Sequence, residues 1–172
     1  MQSKPTLVLM AGLPGAGKTT LAFALGSELG WPVLDKDRYK RFFLSRMTIV
    51  DELAAALAYE MAFELVYDIL VQQRLSVIFD SSALRTFVMK QAREMVAAAD
   101  AQLKVVLCST GCDVRRSRVT QRTVSTGALS ADIMAIENDI PLFTHLPADT
   151  LILRTAHPLA ECIATALVYL HS

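Results

Sequence analysis

Aromatic residues make up only 7% of this 172-residue chain, with a single tryptophan. That scarcity leaves little material for an aromatic-plus-basic groove on which unpaired bases would stack. No charge of one sign dominates, since 17 basic residues balance 17 acidic ones. A whole-surface field for nucleic acid is thereby excluded, while a local patch is not. Cysteine is sparse, and its count of three is odd. Reduced thiols in a cytoplasmic setting fit that better than a disulfide framework. Cys108 and Cys112 stand four apart, with His145 and His157 downstream. That is not a zinc spacing, so core or loop thiols are expected. No apolar stretch reaches the roughly 18 residues that span a bilayer, and no membrane partner is expected. Lys4 and the apolar run after it mimic a signal peptide, but the run is short and leads straight into a glycine-rich segment. It reads as a first strand. No repeat, low-complexity tract or Pro/Gly/Ser-rich linker divides the chain. One domain over 1–172 is expected, and 53% hydrophobic residues allow it a well-covered sheet.

What is present begins at Gly12. Residues Gly12 to Thr19 read Gly-Leu-Pro-Gly-Ala-Gly-Lys-Thr, a complete G-x-x-x-x-G-K-[ST] phosphate-binding loop. By average residue usage the pattern arises by accident in roughly one such chain in a hundred or fewer. Gly12, Gly15 and Gly17 permit turns that a Cβ would hinder, so successive N–H groups point inward and form a nest for anionic oxygens. The predicted cradle comprises Gly12, Gly15, Ala16, Gly17, Lys18, Thr19 and Thr20. Lys18 reaches for β- and γ-phosphates, and the Thr19 hydroxyl for Mg²⁺. The context agrees: Thr6–Ala11 is an apolar strand, and Thr20 to Leu29 is helix-compatible, with Leu21, Ala24, Leu25 and Leu29 on one face. Gly30 and Pro32 then end the helix.

Strand-like runs recur at Thr6–Ala11, Pro32–Leu34, Ser76–Phe79, Leu103–Cys108 and Thr150–Leu153. Helical segments are predicted near 18–29, 38–47, 51–73, 84–99, 113–123, 130–140 and 158–170. Such alternation implies an α/β fold, a parallel sheet with helices on both faces. In 51–73, Glu60, Glu64 and Asp68 recur every four residues and read as a solvated stripe, while Tyr59, Met61, Phe63 and Tyr67 read as core.

Chemistry in such a sheet gathers beyond the carboxyl ends of the strands. Two acidic sites lie there, Asp35-Lys36-Asp37-Arg38 after the second strand and Asp80 after the third. Phosphoryl transfer needs a cation on the phosphates and a carboxylate to orient or deprotonate the acceptor. Asp80 fits the metal-facing role, or the acceptor-facing one. Asp37 is better placed as base and opens a helix, where it would also serve as N-cap. Asp35 is the weaker base candidate. Arg115, Arg118 and Arg122 follow the fourth strand at i, i+3 and i+7, on one helical face. Arg118 and Arg122 are the chief candidates to neutralise phosphoryl oxygens. The stretch 123–130, with Gly127 and small polar residues, suits a closing segment.

These motifs together resemble the small P-loop kinases of the AAA_33-like group, neighbours of zeta toxins and polynucleotide 5′-kinases. The residues that carry the resemblance are 12–19, Lys36-Asp37-Arg38-Tyr39-Lys40, Val-Ile-Phe-Asp-Ser-Ser at 77–82, and Arg118-x-x-x-Arg122. The resemblance implies a three-layer P-loop NTPase fold with five parallel strands in order 2-3-1-4-5 and a helical lid over about 113–140. It implies ATP and Mg²⁺ as cofactors, Asp37 as general base and Arg118 with Arg122 as lid arginines. It implies that the loop Arg154–Pro158 borders the adenine. An arginine that grips substrate would be Arg85 or Arg93, and the sequence does not choose.

The expected function is transfer of the ATP γ-phosphate to a hydroxyl of a small molecule. Lys18, Asp37, Arg118 and Arg122 would be catalytic, and Thr19 and Asp80 would hold the metal. Alternatives are a polynucleotide 5′-hydroxyl kinase and a nucleotide-binding regulatory module. The sequence has no Asn-Lys-x-Asp guanine-reading motif, which argues against a GTPase.

Overall fold

Strand β1 (Thr6–Ala11) is buried along its whole length, as a central parallel strand must be. Its side chains alternate between two cores. A computed structural model describes residues 4–121 and 135–172. Within them β1 is followed by α1 (Lys18–Leu29), β2 (Val33–Asp35), α2 (Lys36–Arg46) and α3 (Asp51–Tyr67). Then come β3 (Val77–Asp80), α4 (Thr86–Ala98), β4 (Gln102–Ser109), α5 (Cys112–Gln121), β5 (Leu151–Arg154) and α6 (Leu159–Leu170). The five strands pair in the order β2-β3-β1-β4-β5, all parallel. This is the three-layer P-loop NTPase architecture, with the strand order that the resemblance implied.

Period-two alternation sorts the layers. Leu7, Leu9 and Ala11 face one side, with Phe79, Tyr59, Val66, Val88 and Met89. Val8 and Met10 face the other, with Leu21, Leu25, Ile78, Ala166 and Leu170. Helices α3 and α4 therefore cover one face, and α1 and α6 the other. In α1 the buried residues are Leu21, Ala22, Leu25 and Gly26, so Ala22 and Gly26 replace the predicted Ala24 and Leu29 in the innermost contact. The sheet approaches there too closely for bulk: a Cβ on Gly26 would lie 2.5 Å from Val33 Cγ2. Gly30, at φ 67, ends α1 with its N–H bonded to the Gly26 carbonyl.

The segment predicted as one helix over 51–73 breaks into α3 and a π-helical turn, Asp68–Gln72. The Gln73 N–H bonds to the Asp68 carbonyl, and Arg74 at φ 60 closes the turn. The wider turn keeps both Val66 and Leu70 in the core. Glu60, Glu64 and Asp68 are exposed, as a solvated stripe should be. Tyr59 and Phe63 join the core, but Met61 and Tyr67 are exposed. The helix expected near 130–140 falls partly outside the described residues. Its end is a short 3-10 turn, Ile140–Phe143. No described helix is long and apolar enough to cross a membrane.

Candidate active site

The carboxyl ends of β1, β2 and β3 converge on the loop 12–17. Gly12, Gly15 and Gly17 all hold positive φ, at 135°, 79° and 88°. Packing demands glycine at the first two as well. A Cβ on Gly12 would sit 2.3 Å from the Cys108 carbonyl oxygen, and one on Gly15 would sit 2.6 Å from the Arg115 carbonyl oxygen. The loop is tied down by Gly12 N–H donating to the Ser82 carbonyl at 3.0 Å and Ala16 N–H to Leu13 at 3.1 Å. The Lys18 ammonium folds back over the loop and donates to the Leu13 carbonyl at 3.1 Å. Gly15→Ala should cost about 2–4 kcal/mol, from the left-handed backbone and the clash together. Urea denaturation measures it; an unchanged midpoint would show that the loop can yield.

Two aspartates stand level at neighbouring strand ends, since Asp35 and Asp80 are register partners. Asp35 is the helix cap. Its Oδ1 accepts from Asp37 N–H at 2.9 Å and Arg38 N–H at 3.1 Å. This corrects the expectation that Asp37 caps α2: the helix opens two residues earlier than 38, at Lys36, and the strand delivers Asp35 to the cap position. Asp35 is buried, with Arg41 3.6 Å from its other oxygen. Its carboxylate is thus committed to structure. Asp37 lies in the first turn of α2 with its carboxylate exposed and paired with Lys36. Burial works to raise its pKa, but Lys36, Lys18 and Arg41 overcome it and hold the carboxyl below the ordinary carboxylate range. Asp37 is therefore an exposed carboxylate whose ionised form is favoured, within the electrostatic reach of Lys18.

Asp80 is buried, 3% exposed, and its Oδ1 has no hydrogen-bond partner among the described residues. Burial pushes its pKa up to about 6, against the pull of Lys18 and the Thr19 hydroxyl, with Asp35 and Asp37 adding to the rise. An orphaned carboxylate oxygen beside the Thr19 hydroxyl is a donor set that suits a hard divalent cation.

Helix α5 brings its arginines to different places. Arg115 is fully buried, with its guanidinium bonded to the Ile136 carbonyl and its backbone against Gly15. It braces the loop rather than facing a nucleotide alongside Arg118. Arg118 donates to the Thr155 carbonyl at 2.7 Å, to the Thr155 hydroxyl at 3.3 Å and to the Gly15 carbonyl at 3.4 Å. The Thr155 hydroxyl in turn donates to the Ala16 carbonyl at 2.6 Å. A cavity of about 320 Å³ opens there, lined by Gly17, Thr20, Arg118, Thr155, His157 and Leu159 among others. Arg122 lies outside the described residues, as does the whole stretch 123–130 expected to close.

The family profile described as an AAA domain, AAA_33, matches residues 7–138, most of the chain. The chain belongs to the AAA_33 family. No curated protein sequence matches it. Solved structures similar to this AAA_33 chain in fold include the following three. One, from Chloroflexus aurantiacus J-10-fl and provisionally named a kinase, has a TM-score of 0.77 at 21% identity, covering 99% of this chain and 98% of that one. A gluconokinase from Sinorhizobium meliloti 1021 has 0.63 at 18%, covering 99% and 94%. An APS kinase from Mycobacterium tuberculosis, in complex with AMPPNP and APS, has 0.68 at 16%, covering 99% and 100%. At these identities the likeness shows a shared kinase-type P-loop fold.

Within this AAA_33 chain the choice between Arg85 and Arg93 becomes geometric. Arg85 is the N-cap residue of α4, just past the end of β3. Arg93 lies eight residues on, about 12 Å further along the helix. Arg85 therefore stands nearer the end of β3 than Arg93 does. Sequence reading also passed over Thr155, whose hydroxyl ties β5 to the phosphate loop, because a lone threonine after a short strand carries no pattern. Cys108 is buried, and that burial, first among the causes, pushes its thiol up to about 12, which leaves it unreactive.

The raised pKa of Asp80 has a thermodynamic consequence. Its carboxyl binds a proton more tightly folded than unfolded, so its contribution favours the fold below about pH 4. That contribution is lost as pH rises toward 6. By pH 7 the ionised buried carboxylate costs at most about 3 kcal/mol. Asp80→Asn should therefore raise the metal-free melting temperature at pH 7.5 by about 3–8 °C and leave it nearly unchanged at pH 4. Equal destabilisation at both pH values would show that Asp80 is held by contacts rather than strained by its charge.

Proposed function

We propose that this protein is an ATP- and Mg²⁺-dependent phosphotransferase that moves the γ-phosphate to a hydroxyl of a small molecule. The observation that carries the reading is the buried Asp80 carboxylate, one oxygen without a partner among the described residues, at a strand end beside a phosphate loop that carries Lys18. In a phosphate loop that ammonium belongs on the β- and γ-phosphates. Thr19 and Asp80 would hold Mg²⁺, which would supply charge neutralisation on the phosphate oxygens. Asp37, ionised and exposed, would take the acceptor proton. Arg118, fixed between Gly15 and Thr155, would stand by the phosphates, and Arg122 would join it from the lid over 113–140. Arg85 would grip the acceptor. The whole chain would act as one kinase-like domain, and its three free thiols suit a cytoplasmic protein.

A nucleic-acid acceptor is less favoured. Helix α2 carries Lys36, Arg38, Lys40, Arg41 and Arg46. Three of these cations already face carboxylates of this chain: Lys36 on Asp37, Lys40 on Asp51 and Arg41 on Asp35. Helix α2 is therefore not a bare track for a phosphate backbone.

A labelled γ-phosphate screen tests the reading. It should span sugars, nucleosides, antibiotics and 5′-hydroxyl oligonucleotides. Label on a small hydroxyl compound is the expected result. Label on oligonucleotides alone would overturn the small-molecule assignment. ATP hydrolysis with no acceptor labelled would favour a regulatory nucleotide-binding module.

A further inference from the structure

Lys36 and Asp37 are sequence neighbours on a helix, and neighbours at i, i+1 do not face each other. Their side chains nevertheless form an ion pair. The lysine must bend back to make it, and a support holds it there. Its ammonium lies 5.1 Å from the centroid of the Tyr59 ring, and its side chain is only 11% exposed. Tyr59 is itself clamped, stacked on Phe63 at 6.1 Å and met edge-on by Phe87 at 5.0 Å. Phe63 rests on Phe79, the residue before Asp80. An aromatic buttress thus runs from β3 to one lysine, and that lysine ends on the candidate base.

We infer that Lys36 is a positioning residue, which holds the Asp37 carboxylate over the phosphate loop through its seat on Tyr59. The inference rests on the kinase reading above. Four other charged groups act around Asp37. Lys18 comes from the loop and Arg41 from the next turn of α2, Asp80 feels Asp37 from the end of β3, and Asp35 accepts the Asp37 N–H from the end of β2. Helix α3 presents the uncharged Tyr59. A triphosphate in the loop engages Lys18. Arg41 sits 3.6 Å from Asp35 and is shared with it. Lys36 is then the cation dedicated to Asp37. It offsets the repulsion between a carboxylate and the phosphates, and it fixes the direction in which the carboxylate points.

Lys36→Met keeps the apolar stem on Tyr59 and removes the charge; Lys36→Gln is a second variant should the first fold poorly. The expected result is a kcat for acceptor phosphorylation lower by about ten- to a hundredfold. KM for ATP should be unchanged, and the acid limb of kcat/KM should move up by about one pH unit. Lys36→Arg should restore both, since a guanidinium can hold the ring and the carboxylate. Unchanged kcat and acid limb in the charge-free variants would overturn the inference, as would a Lys36→Arg protein no better than Lys36→Met. A ¹³C NMR titration of the Asp37 carboxyl needs no acceptor. If it stays put in Lys36→Met, the pairing fails; if no compound is ever phosphorylated, the kinase reading fails instead.

Discussion

Lys18→Ala should lower γ-phosphate transfer by at least about 10²–10³-fold and weaken ATP binding. The ammonium is aimed at the oxygens on which charge develops, and losing one such donor is worth roughly that factor. The structure adds a second route to the same loss. Lys18 is the first of the groups that pull the Asp80 carboxyl down, and it also pulls on Asp37. Without it Asp80 should hold its proton to higher pH, and a protonated carboxyl is a poor metal ligand. Transfer in the variant should therefore demand more Mg²⁺ as well as more ATP. Initial rates over a grid of both concentrations measure this. Turnover equal to the parent protein would sink the kinase reading. A raised ATP requirement with an unchanged Mg²⁺ requirement would separate Lys18 from Asp80.

The parts that were legible in the sequence are those with a local rule. Glycines at 12, 15 and 17 announced positive φ, and all three have it. The apolar run 6–11 announced a strand buried on both faces. The strand order came from resemblance, because neighbours in a parallel sheet are chosen by contacts far apart in the chain, such as Leu7 with both Val77 and Leu103. The cap of α2 was misread for a related reason. Asp35 and Asp37 are equally good caps by residue type. What decides between them is that β2 pairs with β3 as far as Asp35, level with Asp80, so the helix can start only at Lys36. Arg115 and Arg118 look alike at i and i+3. One is buried against Ile136 and the other reaches Thr155, because two different segments pack against the same helix. Helical spacing gives the face of a side chain and says nothing of what lies opposite.

Asp37→Asn should lower kcat by about 10²-fold or more, the scale of a lost general base, while ATP still binds. The amide keeps an oxygen that can accept from Lys36, so the aromatic buttress beneath the pair should remain in place. The pH profile distinguishes this carboxylate from its neighbours. Lys36, Lys18 and Arg41 overcome the effect of burial and hold Asp37 below the ordinary carboxylate range, whereas burial pushes Asp80 up to about 6. At saturating Mg²⁺, which would keep Asp80 ionised, kcat/KM should stay flat from pH 8 down through 6 and fall only below about pH 4 if Asp37 is the base. An acid limb near pH 6 that survives in Asp37→Asn and does not move with Mg²⁺ concentration would shift the base role to Asp80. Asp35 has least freedom to take that role, because its Oδ1 already accepts two backbone N–H groups. Asp35→Ala should accordingly lower the melting temperature through the lost helix cap, while any effect on turnover follows from the displaced first turn that carries Asp37.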